Sequence, residues 1–259
     1  MDDETKKINF SVSGWPGSGC TTLALLLACL FERDFIYIGN IYRYLGSKLG
    51  FSNVGISRPQ FDDYIEDIIG KAVDQFIDYK LLNSSNILID ADISVFRIGK
   101  NPKVFSIFLT TPSEVRRERI STNKVDMEFL DERDSVLKKK YTDLWGFDYF
   151  DIETINAKHS LVFDNSNMGL LMEIKTVFNE LKNWMNFNAL TESQWEELSL
   201  KAENLITTLE SKGQEGLIEI LKKRGHYKEP QDILLEITSI FPEEVQSFPE
   251  HIKKVFLPH

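Results

Sequence analysis

The 259-residue chain has little cysteine, a deficit of basic charge and no long apolar run, and each shortage argues against a class of protein. Its two cysteines, Cys20 and Cys29, fall within one predicted loop–helix unit, which argues against a disulfide framework and for a cytoplasmic location. The longest apolar run, Leu23 to Phe31, is too short to cross a bilayer. The acidic start, Met-Asp-Asp-Glu, is unlike the basic start of a signal peptide, so we expect none.

Acidic residues outnumber basic residues by 40 to 30, which gives a formal net charge of −10. Binding nucleic acid or an anionic membrane through bulk charge requires clustered lysine and arginine, so we expect neither as a partner. A small nucleotide needs only a local basic pocket and remains a candidate substrate. The hydrophobic fraction of 42% is typical of a soluble globular chain and far from that of disordered proteins.

Short apolar strands alternate with helices over residues 1–188. Strands are predicted at 8–13, 34–38, 86–90, 104–109 and 160–163, and helices at 21–32, 40–49, 59–82, 112–121, 127–145 and 170–184. This alternation predicts an α/β fold with a parallel sheet covered by helices on both faces. Thr111 is the predicted N-cap of the helix at 112–121, and Gly50 the predicted C-terminal cap of the helix at 40–49.

The strand signal ends before residue 189, and we predict a small all-helical appendage over residues 189–259. Thr191 to Gln194 resembles a capping box, followed by helices to about Gly213 and then to about Arg224. The apolar stripe Leu198, Leu205 and Leu209 either forms the appendage's own core or docks it on the rest of the chain. The segment is also a candidate surface for a protein partner.

A glycine-rich loop joins the first predicted strand to the first predicted helix. Glycines permit positive φ and let backbone N–H groups approach phosphate oxygens, and the helix dipole adds positive potential there. A hydroxyl one residue into the helix can ligate Mg²⁺, and Thr21 occupies that place. The residues predicted to bind the phosphates of a nucleotide are Gly14, Gly17, Ser18, Gly19, Cys20, Thr21 and Thr22.

Cys20 stands where the motif G-x-x-x-x-G-K-[ST] has lysine. That lysine neutralises phosphate charge in the transition state, and its loss costs about 3–4 kcal/mol of barrier by analogy with other single donors. Two readings stay open: catalysis survives the change, or the loop binds nucleotide with little turnover. Cys20 is either a low-pKa redox sensor at a helix N-terminus or a small residue that fits the loop.

Asp90 ends the third apolar strand, and ligands of open α/β sheets bind beyond the carboxyl ends of the strands. Its carboxylate could hold Mg²⁺ through water, or it could cap the next turn. The loop before the first helix favours the metal role, so we assign Thr21 and Asp90 as the candidate metal residues.

The ordered motifs resemble those of the cytidylate kinases, a family of P-loop nucleoside monophosphate kinases, and most of all the archaeal-type branch. The resemblance covers about residues 8–185. It is carried by the loop at 14–22 and by the segments at 38–45, 105–109, 114–120, 132–134, 138–141, 145–148 and 161–166.

This resemblance implies a P-loop kinase fold that uses ATP and Mg²⁺. It implies that Arg43 contacts the phosphate of the acceptor nucleotide, and that a basic lid closes over both substrates. Arg119 flanks this lid, Arg133 lies in its helix, and its cationic cluster corresponds to 138–140. The catalytic residues so implied are Arg43, Arg119, Arg133, Lys138 and Lys139.

The chain departs from the family at Cys20 and at Ala91-Asp92, where the family usually has Gly-Arg. An acid at Asp92 would repel an acceptor phosphate, and Arg97 is a candidate substitute. Two functions follow. The chain is an ATP-dependent nucleoside monophosphate kinase, or it is a catalytically weak nucleotide-binding sensor or adaptor that uses residues 189–259 to contact a protein.

Overall fold

A computed structural model describes residues 8–50, 66–121, 128–184 and 190–257. Five strands form one sheet in which every neighbouring pair is parallel, in the order β2-β3-β1-β4-β5. The strands are β1 (Asn9–Gly14), β2 (Asp34–Tyr37), β3 (Ile87–Asp90), β4 (Val104–Leu109) and β5 (Leu161–Phe163). The predicted parallel α/β sheet is therefore confirmed.

The described helices agree closely with the predicted bounds. They are α1 (Cys20–Phe31), α2 (Ile38–Lys48), α3 (Lys71–Asn83, after a π-helical turn at Glu66–Gly70), α4 (Ser113–Ser121), α5 (Glu128–Trp145), α6 (Ile152–Lys158), α7 (Leu170–Asn183), α8 (Glu192–Lys223), α9 (Pro230–Ile240), α10 (Pro242–Gln246) and α11 (Glu250–Phe256). The first part of the helix predicted at 59–82 lies outside the described residues. Helix α6 was not predicted, because it is only seven residues long.

Helix α1 is the centre of the larger hydrophobic cluster. Its residues Leu23 to Phe31 are each at most 1% exposed, which explains why this run is apolar on every face of the helix. The run packs between the sheet residues Phe10 and Val12 on one side and helices α7 and α8 on the other. This packing fixes the start of α1 at the carboxyl end of β1.

The opposite face of the sheet is covered by α2, α3 and the three C-terminal helices. Ile36 and Ile89 project from the strands into this second cluster. The helical stripe of α3 meets them with Val73 and Phe76, as the apolar spacing of that helix predicts. Helix α2 is thereby held with its first turn directly after β2, at the carboxyl edge of the sheet.

The described residues from 190 onward are helical except for short connections, and they share both hydrophobic clusters with the sheet. Leu198 and Leu205 lie in the same cluster as α1, and Leu209 packs against it, which favours the docking alternative for this stripe. The predicted capping box is confirmed, because Thr191 and Gln194 bond reciprocally. The division into units at 1–188 and 189–259 stays a prediction.

Two predicted helix caps have different outcomes. Gly50 adopts φ 83 after α2 and its N–H bonds to Ser47, as a C-terminal cap requires. Thr111 does not cap α4. The helix begins at Ser113, and the Thr111 hydroxyl donates to Asn165 at 2.5 Å.

Among the described helices none has both the length and the apolar character of a membrane span.

Candidate phosphate-binding site

The loop between β1 and α1 has the backbone conformation that its glycines permit. Gly17 and Gly19 adopt φ values of 83 and 93, which residues other than glycine rarely adopt. A Cβ on Gly17 would also lie 2.8 Å from the Ile120 side chain. The Ser18 N–H and hydroxyl both donate to the Trp15 carbonyl, at 2.9 and 2.5 Å, and tighten the turn.

Side chains outside the loop bind its carbonyl oxygens. The Ser18 carbonyl accepts from Arg119 at 3.1 Å and from Asn165 at 2.9 Å. The Pro16 carbonyl accepts from Arg116 at 3.0 Å, and the Gly14 carbonyl accepts from the Tyr149 hydroxyl at 2.8 Å. Because these side chains already donate to the loop carbonyls, the carbonyls do not compete for the N–H groups of the loop. Those N–H groups can then donate to an anion.

The first amides of α1 remain available to a ligand. Leu23 is the first residue of the helix whose N–H reaches back one full turn, to the Gly19 carbonyl. The amides of the three residues before it have no intrahelical acceptor, and Gly19 at the N-cap brings no side chain to satisfy them. This end of the helix can therefore bind an anion such as a phosphate.

Trp15 does not fill the loop. Its indole N–H donates to the Tyr149 carbonyl at 3.3 Å. Its ring packs against Phe108 and Phe150 in a third hydrophobic cluster, separate from the two described above. The Arg116 guanidinium lies 5.8 Å from the centre of the same ring. The bulky residue of the loop thus faces the protein interior, and the turn is not collapsed around it.

Cys20 directs its sulfur back over the loop. A Cβ on Gly14 would lie 2.6 Å from Cys20 Sγ, so only glycine fits beneath the thiol. Burial of the sulfur, and then the negative charges of Asp90 and Asp92, raise the thiol pKa well above its usual value. The group is therefore a neutral thiol near pH 7. Of the two alternatives for Cys20, this argues against the low-pKa redox sensor and favours a small residue that fits the loop, because burial and the two acids outweigh the helix dipole.

Thr21 and Asp90 come together as predicted, one at the start of α1 and the other at the end of β3. The Thr21 hydroxyl bonds to the Asp90 carboxyl. Burial raises the pKa of Asp90 to about 7, against the opposing effects of Thr21 and of the Arg43 charge. Its Oδ2 is buried and has no hydrogen-bond partner among the described residues. A buried, unpaired carboxylate oxygen beside a hydroxyl suits Mg²⁺, which takes few protein ligands and keeps several waters.

Arg43 lies near this pair. It is in the second turn of α2, where its guanidinium carbon lies 4.6 Å from the centre of the Tyr37 ring. Its positive charge acts on Asp90, which places it beside the carboxyl end of β3. The structure thus brings Arg43 to the same edge of the sheet as the loop.

Asp92 meets an arginine of the predicted lid helix. Its carboxylate lies 3.6 Å from Arg133, on α5. The acid that would repel an acceptor phosphate is therefore partly neutralised by a residue predicted to act in catalysis. Arg97 does not replace the missing family arginine, because Asp78 binds its guanidinium at 2.8 and 2.9 Å and Asp74 lies 3.3 Å away.

The lysines of α5 are less clearly placed for catalysis. Lys138 pairs with Asp148 at 2.7 Å, and both Lys138 and Lys139 are exposed. Lys140 lies 4.8 Å from the centre of the Tyr141 ring. Within the part of the chain that the structure describes, no hydrogen bond or ion pair joins Lys138 or Lys139 to the loop, so their catalytic role stays a prediction.

The sequence is similar to archaeal cytidylate kinases. That of Methanocaldococcus jannaschii is 26% identical over 179 residues, which cover 65% of this chain and 92% of the relative. That of Saccharolobus islandicus is 25% identical over 181 residues, 66% of this chain and 89% of the relative. That of Methanococcus aeolicus is 28% identical over 152 residues, 55% of this chain and 82% of the relative. No family model matches the chain.

The chain fits the cytidylate kinase-like family. The resemblance seen in the ordered motifs is confirmed by these relatives. They support phosphoryl transfer of the nucleoside-monophosphate-kinase type and the predicted P-loop kinase fold.

Two solved structures are also similar in shape. An uncharacterized protein from Eubacterium ventriosum is 17% identical with a TM-score of 0.43, covering 66% of this chain and 98% of that one. Shikimate kinase from Bacteroides thetaiotaomicron is 14% identical with a TM-score of 0.38, covering 69% of this chain and 98% of that one.

Two residues that support the candidate site were not predicted. Asn165 Nδ2 donates both to the Ser18 carbonyl and to Glu173 Oε1, at 2.9 and 3.1 Å. Its own oxygens accept from Thr111 and from Arg119. Asn165 therefore joins the loop to the segment that follows β4, to α4 and to α7. It falls in the motif at 161–166, but a single sequence carries no signal for Glu173.

We expect the stability contribution of Glu173 to depend on pH. Burial raises its pKa from 4.5 to about 7, against the opposing effects of Asn165 and Arg119. Because the folded pKa lies above the unfolded one, the folded protein loses stability as pH rises from about 4.5 to 7. Glu173→Gln removes this loss. The free energy of unfolding of the variant, relative to that of wild type, should therefore rise by about 2–3 kcal/mol from pH 5 to pH 8. Urea unfolding at both pH values measures the difference, and an equal offset at both would contradict it.

Proposed function

We propose that the chain transfers the γ-phosphate of ATP to a nucleoside monophosphate, with cytidine monophosphate as the first acceptor to test. One observation carries this proposal. The hydroxyl and carboxyl that suit Mg²⁺, Thr21 and Asp90, meet beside a loop that can bind an anion, with Arg43 near them. The relatives named as cytidylate kinases support the same acceptor.

The donor phosphates bind the amides of the loop and of the first turn of α1. Thr21 and Asp90 would hold Mg²⁺, which would offset the negative charge of the phosphates. Arg43 binds the acceptor phosphate through its planar, two-pronged guanidinium. No covalent intermediate is required, since orientation and charge stabilisation account for catalysis of this kind.

Arg119 and Arg133 neutralise charge that develops on the transferred phosphoryl group. Arg119 is already fixed beside the loop by the Ser18 carbonyl and Asn165. Arg133 lies 3.6 Å from the Asp92 carboxylate. Its side chain can turn from this acid to a phosphate when the lid closes. Closure also excludes water, which would otherwise hydrolyse ATP.

Cys20→Lys separates the two functions that the sequence leaves open. If the chain is a kinase, the added ammonium should preserve or raise the rate of ADP formation with ATP and cytidine monophosphate, because the neutral thiol contributes no charge to the phosphates. If the chain is a sensor or adaptor, the variant should bind ATP more tightly and still form no product. Coupled ADP detection measures turnover and calorimetry measures binding.

The wild-type protein provides the decisive reference. It should be stabilised against heat by ATP or ADP with Mg²⁺, and less so with EDTA. A melting temperature unchanged by every nucleotide tested, with no heat of binding, would overturn both functions. Cys29→Ser, a substitution at the other cysteine and away from the loop, controls for general effects of replacing a buried thiol.

A further inference from the structure

About a third of this chain lies outside its match to the cytidylate kinase relatives. The M. jannaschii and S. islandicus proteins match 65–66% of this chain but 89–92% of their own length. The motifs that carry the resemblance end near residue 185. The helices after that point nevertheless approach the nucleotide site at two places, one on the loop side and one on the acceptor side.

The first place is the turn within α8. The helix leaves helical geometry at Gly213, with φ 65 and ψ −167. The turn is tight, since a Cβ on Gly216 would lie 2.8 Å from Lys212 Cβ. It brings Gln214 to the first turn of α1, where its Nε2 donates to Thr22 Oγ1 at 2.9 Å. Because this oxygen accepts from Gln214, the Thr22 hydroxyl hydrogen remains to donate to an anion at the helix N-terminus.

The second place is the segment at 226–228, which runs parallel to the edge strand β2. The Phe35 N–H donates to the His226 carbonyl at 2.7 Å, and the Lys228 N–H donates to the Phe35 carbonyl at 3.1 Å. These bonds place Tyr227 against the start of α2. There its hydroxyl accepts from Asn40 Nδ2 at 3.0 Å.

Asn40 connects Tyr227 to the acceptor side of the site. Residues three apart on a helix lie on the same face, so Asn40 and Arg43 are neighbours. The Arg43 charge acts on both Tyr227 and Asp90, so the guanidinium lies near both groups. A tyrosine that fixes Asn40 therefore also fixes the turn of helix that carries Arg43.

Packing elsewhere holds both contacts in place. Leu217 and Leu221 lie on the helical segment that follows the Gly213 turn. Both are fully buried, in the same hydrophobic cluster as α1. The Tyr227 ring packs on Phe35, and Lys222 lies 4.9 Å from its centre. The two side chains thus reach the site from a rigid support, although Gln214 itself is exposed.

We propose that Gln214 and Tyr227 are positioning residues of the nucleotide site, Gln214 for the ATP phosphates through Thr22 and Tyr227 for the acceptor through Asn40 and Arg43. This inference rests on the proposed function. It assigns the C-terminal helices a part in each half of the site, with a separate residue for each substrate.

The test is a pair of variants assayed with ATP and cytidine monophosphate. Tyr227→Phe removes one hydroxyl and keeps the ring on Phe35. It should raise the KM for cytidine monophosphate about three- to tenfold, the value of one hydrogen bond, and leave the KM for ATP within twofold. Gln214→Ala should do the reverse. The kcat of both variants should stay within about twofold of wild type.

Two exposed residues of the same types provide controls. Tyr79→Phe and Gln246→Ala should leave both KM values unchanged. Asn40→Ala should reproduce Tyr227→Phe, and the double variant should be no worse than either single one, because all three remove the same bond. All variants should melt near the wild-type temperature.

The outcomes distinguish a failure of the positioning roles from a failure of the proposed function on which they rest. KM values that rise equally for both substrates, or that match those of the controls, would overturn the positioning roles in an active kinase. A wild-type protein that neither binds ATP or cytidine monophosphate in calorimetry nor forms ADP would overturn the proposed function, and this inference with it.

Discussion

Removal of residues 189–259 is expected to leave the remainder unable to fold. The segment places seven buried apolar side chains in each of the two main hydrophobic clusters. Burial of each large side chain stabilises by about 1.5–3 kcal/mol, so the loss exceeds the 5–15 kcal/mol by which domains are usually stable. The fragment should lose its near-ultraviolet circular dichroism and its cooperative thermal transition.

Two leucines of α8 give a graded form of the same test. Leu205 is 6% exposed and packs with α1, whereas Leu200 is 62% exposed on the same helix. Leu205→Ala should cost about 2–5 kcal/mol, and Leu200→Ala less than about 0.5 kcal/mol. If the fragment melts cooperatively near the temperature of the whole chain, residues 1–188 are an independent unit and the shared cluster contributes little.

The sheet and the loop could be predicted from the sequence because their signals are local. β4 is six consecutive residues buried on both faces, and it was predicted with the bounds that the structure has. The glycines at 17 and 19 adopt the positive φ values that their positions require. Thr21 and Asp90 meet because the carboxyl ends of β1 and β3, which are adjacent parallel strands, share one edge.

The failures depend on contacts between residues distant in the chain. A helix N-terminus alone predicts a low pKa for Cys20, but burial of the sulfur, and then the charges of Asp90 and Asp92, about 70 residues away in sequence, raise it instead. The charge of Arg97 suggested a phosphate contact, yet Asp74 and Asp78, four residues apart on α3, already bind it. Likewise nothing local to Gln214 or Tyr227 indicates that they reach α1 and α2.

Asp90→Asn is expected to have opposite effects on activity and on stability. An amide cannot hold Mg²⁺ as a carboxylate does, so kcat should fall about 10²- to 10³-fold, as for loss of one strong transition-state contact. Nucleotide binding should lose its dependence on Mg²⁺. Titration of ADP in calorimetry, with Mg²⁺ and with EDTA, measures the second effect without requiring turnover.

The stability should change in the other direction. Burial raises the Asp90 pKa to about 7, and an unfolded aspartate titrates near 4, so ionisation destabilises the folded protein increasingly from about pH 4 to pH 7. At pH 8 without Mg²⁺ the asparagine variant should therefore be more stable than wild type, by about 2–4 kcal/mol, and the gain should disappear towards pH 4. Asp232→Asn, at an exposed position on α9, should change neither activity nor this pH dependence. If Asp90 were only a cap for the next turn, its replacement would lower stability and leave the Mg²⁺ dependence of ADP binding intact, so the sign of the stability change at pH 8 decides between the two roles.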